Sequence, residues 1–478
     1  MEPVLLINCP RELSPRLSET TDKRMPLGLL YISAVLKTNG IRCKVIDAEA
    51  GRLGVSDILG IAHDFRPALI GLNCHTLNRW TVYEIAQVLR ITLPSVTIVL
   101  GGAHPSLAPV TTLTECPAAD AVVVGEGELT CLDLARTAGD LVGVRGLYLR
   151  DGGKARSTGH RHRIQDLDSL PYPDLEDIPI REYFEYEDTD LPGLWRRSYL
   201  AASRGCRYRC SFCTEWPLWG ATDTFRSARS VLGEIGMYRS RYGVRNFYFY
   251  DDTLTDWPQW REFSECASVE GIRWSCSTRI DHLDDKTIEL LGRGGCQEIA
   301  VGLEAGSPDI LKIIRKDRSE DFREDGIIRV IKSCRAAGIR LRAHFMIGFP
   351  WETRADISST VRFALRLRDA GLPDANFFTV KVYPGTTFAA RMARHNLSGS
   401  GAGTDLTESW SVHDAFKTAD RRVAAKLRRF NDIALYPVND HVDSLSVRIL
   451  ARRAWELFFG DSTEADVEHF LWEGIAWW

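Results

Sequence analysis

Three cysteines fall within eight residues, at Cys206, Cys210 and Cys213, in the run Arg204-Gly205-Cys206-Arg207-Tyr208-Arg209-Cys210-Ser211-Phe212-Cys213. Thiolates at short, fixed spacings hold iron–sulfur clusters. A cubane has four irons and this loop offers three ligands, so one iron would be left open to a ligand that is not protein. The alternative is a partial zinc site. Structural zinc takes four Cys or His ligands as two close pairs, and no second pair or His-x3-5-His follows nearby. The spacing favours the cluster, and with it chemistry on a bound small molecule.

Other candidates stand where apolar runs end. Asp251-Asp252-Thr253 follows 244–250, Arg279 follows 273–278, Glu304 follows 298–303, Gly348 follows 341–347, and Pro384 follows 377–382. Asp251 and Asp252 could cap a helix or meet a ligand amine. Arg279 could pair with Asp281 on the surface or hold a carboxylate bidentately. Glu304 ends an apolar strand, where a carboxylate is costly without a partner.

The elements that would position these groups are legible. With 199–202, the five runs make six strands, separated by helical patterns at 226–242, 259–269, 284–293, 320–337 and 354–370. Such repeats predict a partial TIM-type barrel, (β/α)6, with its site at the carboxyl rim. Ahead of it, strands at 4–7, 43–46, 68–72, 97–100 and 121–124 alternate with helices at 27–39, 55–65 and 82–90, predicting a doubly wound, Rossmann-like parallel sheet. Ligands of such sheets bind at the strands' carboxyl ends. There lie Asn73-Cys74-His75-Thr76, Gly101-Gly102-Ala103-His104-Pro105 and Gly125-Glu126-Gly127-Glu128. Paired glycines admit close backbone approach to a ligand, though they also serve tight turns. A hairpin at 143–159 and a proline-rich stretch read as a solvated connector. A Gly/Ser loop (397–404) precedes helical patterns at 420–435, 444–459 and 464–478, whose tryptophans (410, 455, 472, 477, 478) read as a small core. The expected division is 1–141, 142–195, 196–390 and 391–478, the last a small helical domain.

The chain has 478 residues, 44% hydrophobic and 26% charged, with net charge −4. That balance gives no argument for a nucleic-acid or anionic-membrane partner. The start has no basic n-region, and no apolar run approaches the ~20 residues of a membrane helix. A reducing cytoplasm is expected, and the nine other cysteines, at unpatterned spacings, read as buried small hydrophobes.

The cysteine run, with Phe212 before its last member, resembles the signature of the radical S-adenosylmethionine family. Asp251-Asp252-Thr253, Gly302-Leu303-Glu304-Ala305-Gly306-Ser307, Gly348-Phe349-Pro350-Trp351-Glu352 and Pro384-Gly385-Thr386 resemble that family's later motifs, in order. The resemblance implies a 4Fe-4S cluster on Cys206, Cys210 and Cys213 whose open iron is chelated by S-adenosylmethionine. It makes Phe212, Asp251, Asp252, Arg279, Glu304, Gly348 and Pro384 cofactor-contact candidates. Pro26-Leu27-Gly28-Leu29-Leu30-Tyr31, Gly101-Gly102-Ala103-His104 and Val124-Gly125-Glu126-Gly127-Glu128 resemble motifs of the cobalamin-binding domain found ahead of many such enzymes. They imply contacts from Gly101, Gly102, Gly125 and His75, with His104 a further possibility. The Asp-x-His-x-x-Gly motif that supplies a lower cobalt ligand is missing; Asp47-Ala48-Glu49-Ala50-Gly51 is its nearest stretch.

The implied activity is reductive cleavage of S-adenosylmethionine and hydrogen abstraction from an unactivated carbon of a small molecule, in natural-product biosynthesis. With cobalamin bound, C-methylation is expected. A cobalamin-free radical dehydratase, epimerase or redox enzyme, for example on an amino sugar, is the second reading. A binding protein with a redox-sensing cluster is the third. The expected partners are a small-molecule substrate and an electron donor (flavodoxin, ferredoxin or a dedicated reductase), with no nucleic acid and no membrane.

Overall fold

Apolar runs of four to nine residues separated by helices can bury both strand faces only in a parallel sheet covered on both sides, and the chain builds two. The computed structural model describes residues 2–10, 24–137, 140–184, 197–316, 323–397, 444–460 and 462–467. The first sheet holds β1 (Val4–Asn8), β2 (Cys43–Asp47), β3 (Leu69–Asn73), β4 (Thr97–Gly101), β5 (Ala121–Val123), β6 (Leu147–Asp151) and β7 (Lys154–Ser157), in the order β2-β1-β3-β4-β5-β6-β7. Its first five strands are parallel, and the expected hairpin adds β6 and β7 antiparallel at the edge.

β8 (Arg197–Leu200) opens the second unit. It leads into β9 (Ser203–Arg204), which pairs antiparallel with β10 (Thr224–Phe225). β11 (Asn246–Phe249), β12 (Arg273–Thr278), β13 (Cys296–Glu304), β14 (Arg340–Ile347) and β15 (Asp374–Thr379) complete a six-stranded, all-parallel sheet in the order β15-β14-β13-β12-β11-β8. This is the six-unit partial barrel read from the sequence.

The connector departs from expectation. Instead of a solvated linker, residues 170–184 pack along the helix Leu27–Thr38 and β2, with Leu175, Ile178 and Tyr183 buried. Asp174 accepts from Ser33 Oγ (2.5 Å) and pairs with Lys37 (2.7 Å). The Tyr183 hydroxyl donates to Asp47, whose other oxygen accepts from Asn8 Nδ2 and the Ala50 N–H at 3.0 Å each.

Of the expected C-terminal domain, the helix Ser444–Phe459 is described. Leu450, Ala454 and Leu457 pack on Ile347, Ile357 and Val361 of the barrel. The expected helix 420–435, Trp410, Trp472, Trp477, Trp478 and the side chain of Trp455 lie outside the described residues. Eight of the nine other cysteines are buried and Cys266 is half-buried, as small hydrophobes would be. Among the described residues no helix is long and apolar enough to cross a membrane.

Burial pushes the Asp47 carboxyl up from its ordinary 3.8 to about 6. A raised acid stabilises the fold below its unfolded value and loses that contribution as pH rises through about 6. Asn reproduces the protonated form, so Asp47→Asn should gain on the parent between pH ~4 and ~7, reaching about 2 kcal/mol. Denaturant titrations across that range check it; a difference independent of pH would contradict it.

Candidate active site

The carboxyl rim of the first sheet is tied by a polar row. Asn73 Nδ2 donates to Asn8 Oδ1 (3.1 Å), and Asn8 donates to Asp47. Beside Asn73 the chain turns at Gly102, whose φ is +110° and where a Cβ would stand 2.7 Å from Asn73 Oδ1 and the Cys74 carbonyl. Only glycine fits. Gly125, at φ +81°, has no atom of the described residues within 4 Å of where its Cβ would point, so its backbone faces the space beside them.

That space is a cavity of about 470 Å³ between the two sheets. Gly28, Gly101, Gly102, Gly125 and His75 line one side; Gly205, Glu215, Asp251 and Asp252 line the other; Leu6, Val99 and Val123 give it an apolar floor. His104 is absent from the lining. It is buried, its Nδ1 lies 3.1 Å from Thr76 Oγ1, and burial pushes its pKa down to about 3. Of the two histidines, His75 faces the cavity.

The cysteine loop leaves β9 through Gly205, at φ +105°, where a Cβ would strike the Thr222 carbonyl. Arg163, from the connector, clasps both ends of the loop. Its Nη1 donates to the Trp219 and Thr222 carbonyls (3.0 and 2.9 Å) and its Nη2 to the Arg204 carbonyl (2.7 Å). Cys210 is buried; Cys206 and Cys213 are half-buried. Burial pushes the Cys206 thiol up to about 12 and the Cys213 thiol well above its usual value, so metal binding must displace their protons. The Glu215 N–H donates to Cys213 Sγ at 3.5 Å. Among the described residues no three His, Cys, Asp or Glu side chains converge to hold a single metal ion. A cubane needs no such convergence, because each thiolate meets a different iron. The donor set, three thiols on one clamped loop, fits that group.

The two aspartates divide their roles. Asp251 Oδ2 accepts from the Ala202 N–H (3.0 Å) and Oδ1 from Ser203 Oγ, so it anchors the entry to the cysteine loop. Asp252 faces Glu215, and burial pushes both carboxyls up. Neither caps a helix: the 3-10 turn Leu254–Asp256 has Thr253 at its N-cap and no side-chain capping bond.

Arg279 does pair with Asp281 (2.7 Å), but as a buried pair rather than a surface one. Its guanidinium lies 4.1 Å from the Tyr208 ring centroid, and Tyr208 OH meets His282 Nε2 at 2.6 Å. Arg279 therefore braces the cysteine loop. Glu304 sits at φ +65° beside a register shift in β13, and its partner is Lys316 (3.1 Å). The N–H groups of Gly348 and Phe349 donate to Glu352 Oε2 (2.6 and 2.8 Å), and the Phe349 ring meets Phe212 at 6.2 Å. Pro384 precedes Gly385, where a Cβ would stand 3.0 Å from Leu107 of the first unit. Phe212, Arg279, Glu304, Gly348 and Pro384 do not line the 470 Å³ cavity.

The sequence reading missed a buried charged contact between the two units. Arg204 Nη1 pairs with Glu126 Oε1 (2.7 Å) and Nη2 with Glu128 Oε1 (2.6 Å), all three groups nearly buried. Glu126 Oε2 also accepts the Ile164 N–H (2.6 Å), and the guanidinium lies 5.5 Å from the Tyr31 ring centroid. The signal was present as glutamates inside Gly-Glu-Gly-Glu and an arginine beside the first cysteine. Breaking a buried pair strands the remaining charges, so Arg204→Met should lower stability by about 3 kcal/mol or more, and adding Glu126→Gln and Glu128→Gln should recover part of it. Unfolding of the single and triple variants checks this; equal losses would refute it.

Residues 18–135 match the family described as the B12 binding domain, and residues 200–364 match the radical SAM superfamily. The chain is 31% identical over 378 residues to an uncharacterized methyltransferase of Pyrococcus horikoshii, covering 78% of this chain and 79% of that protein. It is 26% identical over 425 residues to the cytidylyl-2-hydroxyethylphosphonate methyltransferase of Streptomyces wedmorensis, covering 78% of each. The fold is similar to that of the radical S-adenosylmethionine methyltransferase TsrM of Kitasatospora setae, solved with cobalamin and a 4Fe-4S cluster (TM-score 0.68, 18% identity, 84% of this chain and 79% of that one). It is also similar to the cobalamin-dependent radical enzyme OxsB (TM-score 0.68, 15% identity, 98% and 78%). A clamped loop of three cysteines, the rim of a barrel and a glycine-lined cavity facing both are accounted for together: the chain belongs to the radical S-adenosylmethionine superfamily, among members that carry a B12-binding domain.

Proposed function

We propose that this enzyme methylates an unactivated carbon of a small molecule, with cobalamin and S-adenosylmethionine acting from opposite sides of one space. The observation that carries the reading is the cavity itself: glycine backbone at Gly101, Gly102 and Gly125 lines one wall of it, and the entry to the cysteine loop lines the other. When bound, the cluster and S-adenosylmethionine supply radical chemistry, and cobalamin supplies a transferable methyl group.

The chain's own residues bind, orient and shield. Cys206, Cys210 and Cys213 hold the cluster as thiolates. Asp251 fixes the backbone from which that loop departs. Asp252 and Glu215 present a carboxyl pair to the cavity. Gly101, Gly102 and Gly125 would let the backbone approach cobalamin closely, and the apolar floor at Leu6, Val99 and Val123 would keep water from it. At the barrel rim, the Glu304–Lys316 and Arg279–Asp281 pairs offer charged groups to a zwitterionic cofactor. The β2 loop carries no histidine, and Tyr183 closes on Asp47 there. The two named relatives are methyltransferases. The match of residues 18–135 to the B12 binding domain and the glycine-lined cavity favour this reading over the cobalamin-free one.

Anaerobic reconstitution tests this. The parent should hold iron, sulfide and corrin, and with dithionite should cleave S-adenosylmethionine to 5′-deoxyadenosine. Ala at all three cysteines should remove the cluster and that product while leaving corrin in place. Gly125→Leu, which fills the open space, should lower corrin occupancy about tenfold with cluster content unchanged. With substrate, S-adenosylhomocysteine formed alongside 5′-deoxyadenosine marks methyl transfer; 5′-deoxyadenosine alone would favour a dehydratase or epimerase.

A further inference from the structure

A second cavity, of about 300 Å³, flanks the cysteine loop and shares no lining residue with the first. Its floor is Ser211, between Cys210 and Cys213. Lys312, Arg315 and Arg391 line it, and among the described residues no acidic side chain does. Lys312 and Arg315 are exposed, respectively at the end of the helix Pro308–Ile313 and just past it. Arg391 lies 4.0 Å from the Trp351 ring centroid, on the helix Thr387–Leu397, whose first turn also borders the pocket and adds its partial positive charge.

Ser211 supplies an independent pointer to a ligand. It is 6% exposed, and among the described residues its Oγ has no hydrogen-bond partner. Its backbone is pinned: the N–H donates to the Ile314 carbonyl (2.9 Å), and the carbonyl accepts from the Phe388 N–H (2.8 Å). Arg315 is held at φ +60°, a region that side chains other than glycine occupy at a cost. Three cations, a helix end and an unsatisfied buried donor converge on one space, and all of them favour an oxyanion.

The function proposed above, on which this inference rests, requires an electron from another molecule. The first cavity lies on the cofactor side of the loop, and the basic pocket lies on another side. We infer that this pocket seats a carboxylate on the surface of a small acidic redox protein, the electron donor. One electron would leave the donor's reduced flavin or iron–sulfur centre and enter the cluster on the far side of Ser211; no bond is made between the proteins, and no proton moves at the pocket. Charge complementarity of this kind sets association rate and orientation, and weakens with salt.

The test uses the reconstituted full chain and a purified acidic flavodoxin. Calorimetric titration should show binding that weakens as salt rises and falls about tenfold in Lys312→Glu and in Arg391→Gln. A carbodiimide should link Lys312 to the flavodoxin. Deoxyadenosine formation should fall in both variants when flavodoxin is the reductant and stay at the parent's level with dithionite. Equal flavodoxin affinity in parent and variants would overturn the inference. So would inorganic phosphate binding that is lost in the variants while flavodoxin affinity is not, since the pocket would then hold a free anion. Titration and cross-linking need no turnover, so they decide the docking surface even if the parent makes no 5′-deoxyadenosine and the radical reading falls.

Discussion

One buried guanidinium carries the geometry on which the chemistry depends. Arg204 is the penultimate residue before the first cysteine, and it spans two carboxylates of the first unit. An arginine fork can satisfy both at once, with a defined plane, as a lysine point charge cannot. Desolvating three charges is expensive, and further contacts offset part of the cost: Glu126 also takes the Ile164 N–H, and the guanidinium face rests on Tyr31. Such a contact adds little net stability over an apolar one but admits few alternative registers. It sets the cysteine loop at one distance and tilt from the glycine rim of the first sheet.

The same region is then fastened by hydrogen bonds to backbone and hydroxyl groups. Arg163 closes the loop ends through carbonyl oxygens, and Asp251 holds the Ala202 N–H and the Ser203 hydroxyl. A second cross-unit contact lies deeper, where Arg226 meets Glu234 (2.5 Å) and the Tyr31 hydroxyl (3.2 Å). Tyr31 thus touches both arginines, and it belongs to a helix that the connector also grips through Lys37 and Ser33. The cavity walls are therefore fixed relative to one another by side chains from both units and from the connector.

The parts of this that were legible in the sequence are the periodic ones. Apolar runs, glycines after strands and three cysteines on one loop are local signals, and they located both sheets and their rims. Misreadings arose where partners are remote. Glu304 visibly needed a partner, but Lys316 lies past the next helix, and nothing in the spacing selects it. Asp251 and Asp252 looked interchangeable, because at a strand end a shift of one residue swaps the inward side chain for the other. Prolines at 171, 173 and 179 read as a solvated connector, although proline breaks secondary structure without preventing packing, and Leu175, Ile178 and Tyr183 are buried. Arg204, Glu126 and Glu128 are ordinary surface types; only the tertiary fold makes them interior.

The barrel strands show how the fold keeps room for a substrate. Along β14, Leu341, Ala343, Phe345 and Ile347 are buried while Arg342, His344 and Met346 are half-exposed. Phe345 stacks on Phe377 and meets Phe363 of the outer helix Arg354–Asp369, so the half-exposed set faces the barrel interior. A strand that keeps its inner face polar and partly open is lining a chamber rather than filling a core. The charges at the chamber's closed end are mutually compensated: Arg342 pairs with Asp374 (2.7 Å) and Glu298 (3.5 Å). His344 above them is held neutral by burial, its pKa pushed down to about 4, beside the exposed ring of Phe378. The closed end therefore contributes balanced charge and an uncharged imidazole.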